Sequence, residues 1–128
     1  MAEVLYTNAV APMLLTQLLI ENVRKGNGKK LVYISSKMGS IEDNGRGGST
    51  IYRSSKTALN SVVKTLAIDL APEGIAVTTL HPGWVRTDMG GPNGNIDAPE
   101  SVSGMLNVID GLSGANTGQF YNYDGSTI

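Results

Sequence analysis

Tyr52 and Lys56 stand four residues apart in Tyr52-Arg53-Ser54-Ser55-Lys56, so a helix through them puts both side chains on one face, one turn apart. A tyrosine phenol has a pKa of about 10 and exchanges protons poorly at neutral pH. An ammonium held beside it favours the phenolate and makes the phenol a usable general acid or base. Taken alone, the same spacing also describes an ordinary exposed helix pair. Ser36 adds a second group: it follows the run Ile34-Ser35 and precedes Lys37-Met38-Gly39. Open α/β sheets bind ligands at the carboxyl ends of their strands. A hydroxyl there can hydrogen-bond a carbonyl oxygen and stabilise charge developing on it. It can equally be a strand-end hydroxyl with no further role.

These groups need elements to hold them. Apolar residues at Ala11, Leu14, Leu15, Leu18, Leu19 and Val23 predict a helix from Asn8 to about Arg24 with one buried stripe. Pro12 falls in its first turn, where a missing N–H costs little, and Lys25 to Gly28 end it. Lys30 to Ser35 reads as a short apolar strand of the kind buried on both faces of a parallel sheet. Gly39 to Ser49 reads as a loop. A long helix is expected from about Thr50 to Leu70, with Leu59, Val62, Val63, Leu66 and Leu70 on its apolar face, ended by Pro72 and Gly74. Ile75 to Leu80 is the next buried strand, closed by Pro82-Gly83. Residues 84 to 98 are Gly- and Pro-rich and expected to be mobile; a helix from about Pro99 to Leu112 and a strand from Gln119 to Tyr123 follow. This alternation predicts one α/β domain over 1–128, with a parallel sheet, right-handed crossovers and helices on both faces. Three strands make a narrow sheet whose first strand offers an apolar edge.

The totals narrow the chemistry. With no cysteine, disulfides, thiolate catalysis and Cys-ligated zinc are excluded within these residues, and one histidine rules out a His-rich metal site, so no metal is expected. Ten Lys+Arg against eleven Asp+Glu leave no electrostatic footprint for nucleic acid or an anionic membrane. No apolar run reaches membrane-spanning length and no signal peptide is recognisable, which makes the cytoplasm the expected address.

Together, Tyr52 and Lys56, Ser36 with Gly39 three residues later, and His81-Pro82-Gly83-Trp84-Val85-Arg86-Thr87 resemble the short-chain dehydrogenase/reductases. The runs Tyr52 to Asn60 and His81 to Gly91 look most like the sniffer-like and C-factor-like carbonyl reductases of that family, and Phe120 to Gly125 fits the same pattern. The resemblance implies a Rossmann-like sheet and hydride transfer between NADP or NAD (not distinguishable) and a small carbonyl or alcohol. It implies that Tyr52 exchanges a proton with the substrate oxygen, that Lys56 favours the phenolate and holds the nicotinamide ribose, and that Ser36 polarises the carbonyl. Asn8 matches the helix asparagine that helps anchor a water in the proton relay, although an N-cap role suits it too. Pro82, Gly83, Val85 and Thr87 match the segment that packs under and hydrogen-bonds the nicotinamide. His81 is expected to pack rather than catalyse, and Trp84 to line the substrate mouth or pack. Lys37 and Arg86 are expected to be solvated surface charges. A homo-oligomer is implied for a complete chain.

The family's Gly-rich phosphate-binding turn is not found; the cluster Gly45 to Gly48 follows no strand. The residue that chooses NAD or NADP and the family's N-N-A-G strand are absent as well. The expectation is therefore a Rossmann-like fold lacking its first, Gly-rich half. The competing reading is a cofactor-incompetent paralogue or fragment acting as a binding or interaction module.

Overall fold

The computed structural model describes residues 1–128. Three parallel strands, β1 (Lys30–Ile34), β2 (Ala76–His81) and β3 (Phe120–Asn122), form one sheet in the order β1-β2-β3. Register runs from Lys30 opposite Ala76 to Ile34 opposite Leu80, and from Thr79 opposite Phe120 to His81 opposite Asn122. Helix α1 (Ala2–Lys25) precedes β1, α2 (Thr50–Leu70) joins β1 to β2, and α3 (Ala98–Asp110) joins β2 to β3. The expected Rossmann-like α/β arrangement of three strands with flanking helices is present.

The core lies between α1, α2 and one face of the sheet. Ala9, Leu59, Val63, Ala67, Leu70, Ile75 and Val77 are buried there, with Leu31 and Tyr33 of β1 packed against them. Side chains alternate along a strand, so Lys30, Val32 and Ile34 point to the other face. On that face the Lys30 ammonium reaches the Ile109 carbonyl at the end of α3 at 2.7 Å. Helices therefore flank both faces, as expected, but the handedness expectation fails. With parallel strands in sequential order, crossovers on opposite faces have opposite hands, so only one of the two is right-handed.

Helix α1 departs furthest from its sequence pattern. It begins at Ala2, and Tyr6–Val10 is a π-helical turn in which the Ala11 N–H donates to the Tyr6 carbonyl. Pro12 thus lies inside the helix, not in its first turn. Having no N–H, it cannot serve the Asn8 carbonyl four residues earlier, and the wider turn absorbs the mismatch. The expected inner stripe faces outward: Leu14, Leu15, Leu18 and Leu19 are exposed, Leu18 at 78%. The inner face is Ala9, Thr16, Ile20 and Val23. Thr16 belongs there because its hydroxyl pairs with the Tyr33 hydroxyl at 2.5 Å and donates to the Pro12 carbonyl at 2.8 Å. Extended to Ala2, α1 is also long and apolar enough by length and composition to cross a membrane, contrary to expectation.

Strand β2 is buried almost throughout, whereas β1 is only partly buried and Ile34 is half exposed. The expectation of burial on both faces holds for β2 and fails for β1, which forms the free edge of the sheet.

Candidate active site

Helix α2 opens after three successive left-handed residues, Gly47, Gly48 and Ser49, with φ between 50° and 74°. Glycine adopts this conformation freely; Ser49 does so at some steric cost. Arg53 steadies the entry, its guanidinium donating to the carbonyls of Gly48 at 2.9 Å and Gly47 at 3.2 Å. Tyr52 therefore sits in the first turn of α2. It is 39% exposed and lines an open groove of about 470 Å³ with Val4, Ser49, Thr50 and Ile51.

One turn on, the Lys56 ammonium donates to the Ile34 carbonyl at the end of β1 at 3.3 Å and lies 5.8 Å from the centroid of the Tyr52 ring. Partial burial holds the Lys56 pKa below the ordinary lysine value, because desolvation disfavours the cation. Ser36 is buried two residues beyond Ile34, and its hydroxyl accepts the Met38 N–H at 3.1 Å. That leaves the hydroxyl proton to donate elsewhere. The turn after Ser36 lies flush against α2. A methyl group at Gly39 would stand 2.8 Å from Lys56 Cβ, so only glycine fits. Thr57 donates to the Gly39 carbonyl at 2.8 Å, and Ser35 donates to Asn60 Oδ1 at 2.6 Å. Ser36 and Lys56 are thereby pinned at the carboxyl end of β1, with Tyr52 one helical turn away.

Asn8 lies in the π turn of α1, which removes the N-cap reading. Its side-chain amide donates to Ser55 Oγ at 3.0 Å, and Ser55 in turn donates to the Tyr52 carbonyl at 2.7 Å. Ser55 is fully buried between Tyr52 and Lys56. It forms the hinge of the pair, and sequence reasoning assigned it no role. Its position three residues after Tyr52, on the inner side of α2, was the available signal.

The segment after β2 brings Pro82, Gly83, Val85 and Thr87 into one closed loop. The Pro82 carbonyl accepts from Ser101 of α3 at 2.5 Å. Gly83 has φ 87°, and a Cβ there would stand 2.8 Å from Ile96 and 3.0 Å from Tyr123, so its close neighbours belong to this chain. Val85 pairs with Ile96, the Arg86 N–H donates to the Ile96 carbonyl at 2.8 Å, and Thr87 Oγ1 accepts the Gly90 N–H at 3.1 Å. Trp84 keeps an exposed ring whose N–H donates to the Gly90 carbonyl at 2.7 Å. Arg86 is exposed, as expected of a surface charge, and its guanidinium also pins the loop by donating to the Gly94 carbonyl at 3.0 Å. In place of the mobile stretch expected over 84–98, the loop is held by its own hydrogen bonds. Lys37 is a surface charge, 3.9 Å from Asp43. His81 is partly buried, and its Nδ1 accepts the Lys37 N–H at 3.0 Å.

Residues 1–96 match the short chain dehydrogenase family. The chain belongs to the short chain dehydrogenase family. Among curated relatives, C-signal of Myxococcus xanthus is 44% identical over 128 residues, covering all of this chain and 77% of that protein. Among solved structures, carbonyl reductase Sniffer of D. melanogaster superposes with a TM-score of 0.89 at 38% identity, over 97% of this chain and 54% of that one. The NADPH-bound carbonyl reductase from chicken fatty liver gives a TM-score of 0.91 at 37% identity, over 99% and 56%. The chain thus spans about half the length of these carbonyl reductases.

Proposed function

We propose that this chain carries the proton-relay and nicotinamide-facing part of an NAD(P)-dependent carbonyl reductase acting on a small carbonyl or alcohol. The observation behind the proposal is the Lys56 ammonium held on the Ile34 carbonyl beside Ser36, with the exposed Tyr52 one turn earlier. A bound nicotinamide supplies or accepts the hydride. Lys56 has donors left over after Ile34 and suits a ribose hydroxyl at the mouth of the site. Pro82, Gly83, Val85 and Thr87, on a loop fixed by its own hydrogen bonds, suit the nicotinamide end. The pyrophosphate end is a different matter: the 128 residues hold no Gly-rich turn after a strand.

The residues divide the remaining work. Tyr52 gives its hydroxyl proton to the substrate oxygen in reduction and recovers it in oxidation. Ser36, its lone pair engaged by the Met38 N–H, turns its own proton to the same oxygen and polarises the carbonyl. Asn8 locks α1 to α2 through the Ser55 hydroxyl, and the family resemblance gives it the further role of helping to anchor a relay water.

A second reading has its own support. The exposed leucines of α1 and the half-exposed Ile34 at the sheet edge suit a chain that works by association with another polypeptide. Titration with NADPH and NADH, followed by turnover of small aldehydes and quinones, separates the two. The reductase reading expects weak cofactor binding, for want of pyrophosphate contacts, and turnover that requires Tyr52. Association without turnover at saturating cofactor favours the second.

A further inference from the structure

His81 takes no part in the chemistry proposed above, yet it closes the junction that carries Ser36. The β1–β2 ladder ends with the Ser35 N–H donating to the Leu80 carbonyl at 2.8 Å. Continuing the parallel pattern would bring the Lys37 N–H to the carbonyl of residue 82. That carbonyl is already engaged by the Ser101 hydroxyl. The Lys37 N–H donates instead to His81 Nδ1 at 3.0 Å. An accepting Nδ1 belongs to a neutral ring whose proton is on Nε2. Lys37 begins the turn Lys37–Gly39 that Ser36 caps, and Pro82-Gly83 directly follows His81. One imidazole therefore ties the strand end bearing Ser36 to the strand end bearing the nicotinamide-facing loop.

We propose that His81 is a positioning residue for Ser36: its neutral imidazole replaces the last rung of the sheet ladder, and protonation releases the Ser36 turn and lowers turnover. This rests on the reading of Ser36 as the carbonyl-polarising group. Burial is the main influence holding the His81 pKa below its ordinary value; the Lys37 ammonium on the adjoining turn adds to it, and the Asp43 carboxylate on the following loop opposes it. Lys37 and Asp43 lie close to each other, so their effects on the ring partly cancel. On β3, the residue in register with His81 is the uncharged Asn122.

His81 is the only histidine, so its ring resonances in an NMR titration of the whole chain are unambiguous. The ring should titrate with a midpoint below 6.5, and the Lys37 amide resonance should shift with the same midpoint. H81N places an amide oxygen near the position of Nδ1; it should keep the Lys37 shift and make it independent of pH. H81L offers no acceptor and should displace the Lys37 resonance even when the wild-type ring is neutral. In turnover with NADPH, wild-type kcat should fall on the acid side with the ring's midpoint. H81N should flatten that profile, and H81L should lose roughly tenfold or more where the wild-type ring is neutral and converge on wild type below the ring's midpoint. A midpoint of 6.5 or above, or an unmoved Lys37 resonance in H81L, would overturn the proposal. Absence of turnover in all three proteins counts against the reductase reading, whereas the resonances decide the His81 tie without it.

Discussion

The two sides of α2 differ sharply. Toward β2, Ser55, Leu59, Val63 and Val77 are buried at 2% exposure or less. Away from it, α1 turns four leucines outward and β1 leaves Ile34 half exposed. The candidate site sits on the seam between these regions. Tyr52 and Lys56 stand on the well-packed helix, while Asn8 is held to it by one hydrogen bond and the Ser36 turn by the Lys56–Ile34, Thr57–Gly39 and Ser35–Asn60 bonds and the close Gly39 contact. The contrast suggests that the relay geometry is set by α2 and β2, and that the flank supplies groups whose placement depends on those few ties.

Core truncation tests this contrast most severely. Leu59→Ala should cost about 2–5 kcal/mol, since it opens a cavity in the packed side. Leu18→Ala should stay within about 0.5 kcal/mol, because the residue is already solvated. Denaturant melts of both variants check this, and equal costs would break the comparison. Sedimentation adds a second arm: the unaltered chain should self-associate through its exposed flank, and a Leu15→Gln, Leu18→Gln double substitution should shift it toward monomer.

The ties across the seam come next. Gly39→Ala drives a methyl into Lys56 Cβ and should cost about 1–3 kcal/mol, with loss of turnover as the Ser36 turn is pushed off α2. Ser55→Ala leaves the Asn8 amide without its buried partner and should cost about 1–3 kcal/mol. Unchanged melts for both would mean that the flank is held by something else.

The smallest effect is that of pH. Folding lowers the His81 pKa below 6.5, so below that value the unfolded chain binds the proton more readily. The contribution of His81 is therefore fully present above pH 6.5 and declines as pH falls toward the folded-state value. Stability measured against pH should show a decline in wild type that H81N removes.

Much of this was legible in the residues. Helix α2 spans Thr50–Leu70 as read, because Pro72 and Gly74 end its pattern unambiguously. The strands fall within one or two residues of their expected limits. Helix α1 was misread for two reasons. Pro12 looked like a start signal, but a π turn let the helix run through it. Periodicity shows that a helix has an apolar stripe, not that anything covers it, and the covered face here turns on Ala9 and Thr16. The residues of the candidate site could be named from Tyr52, Lys56 and Ser36. The ties that place them could not: the Asn8–Ser55 bond, the Gly39 contact and the His81 acceptor join residues separated by 17 to 47 positions.

The central claim is that Tyr52 delivers the proton. Its most direct test compares NADPH-dependent carbonyl reduction by the wild-type chain and by Tyr52→Phe, with melting curves and cofactor titrations run on both. The account predicts the same melt, similar weak cofactor binding and a roughly 10²–10⁴-fold loss of turnover in the variant. Turnover by Tyr52→Phe within a few fold of wild type would contradict it.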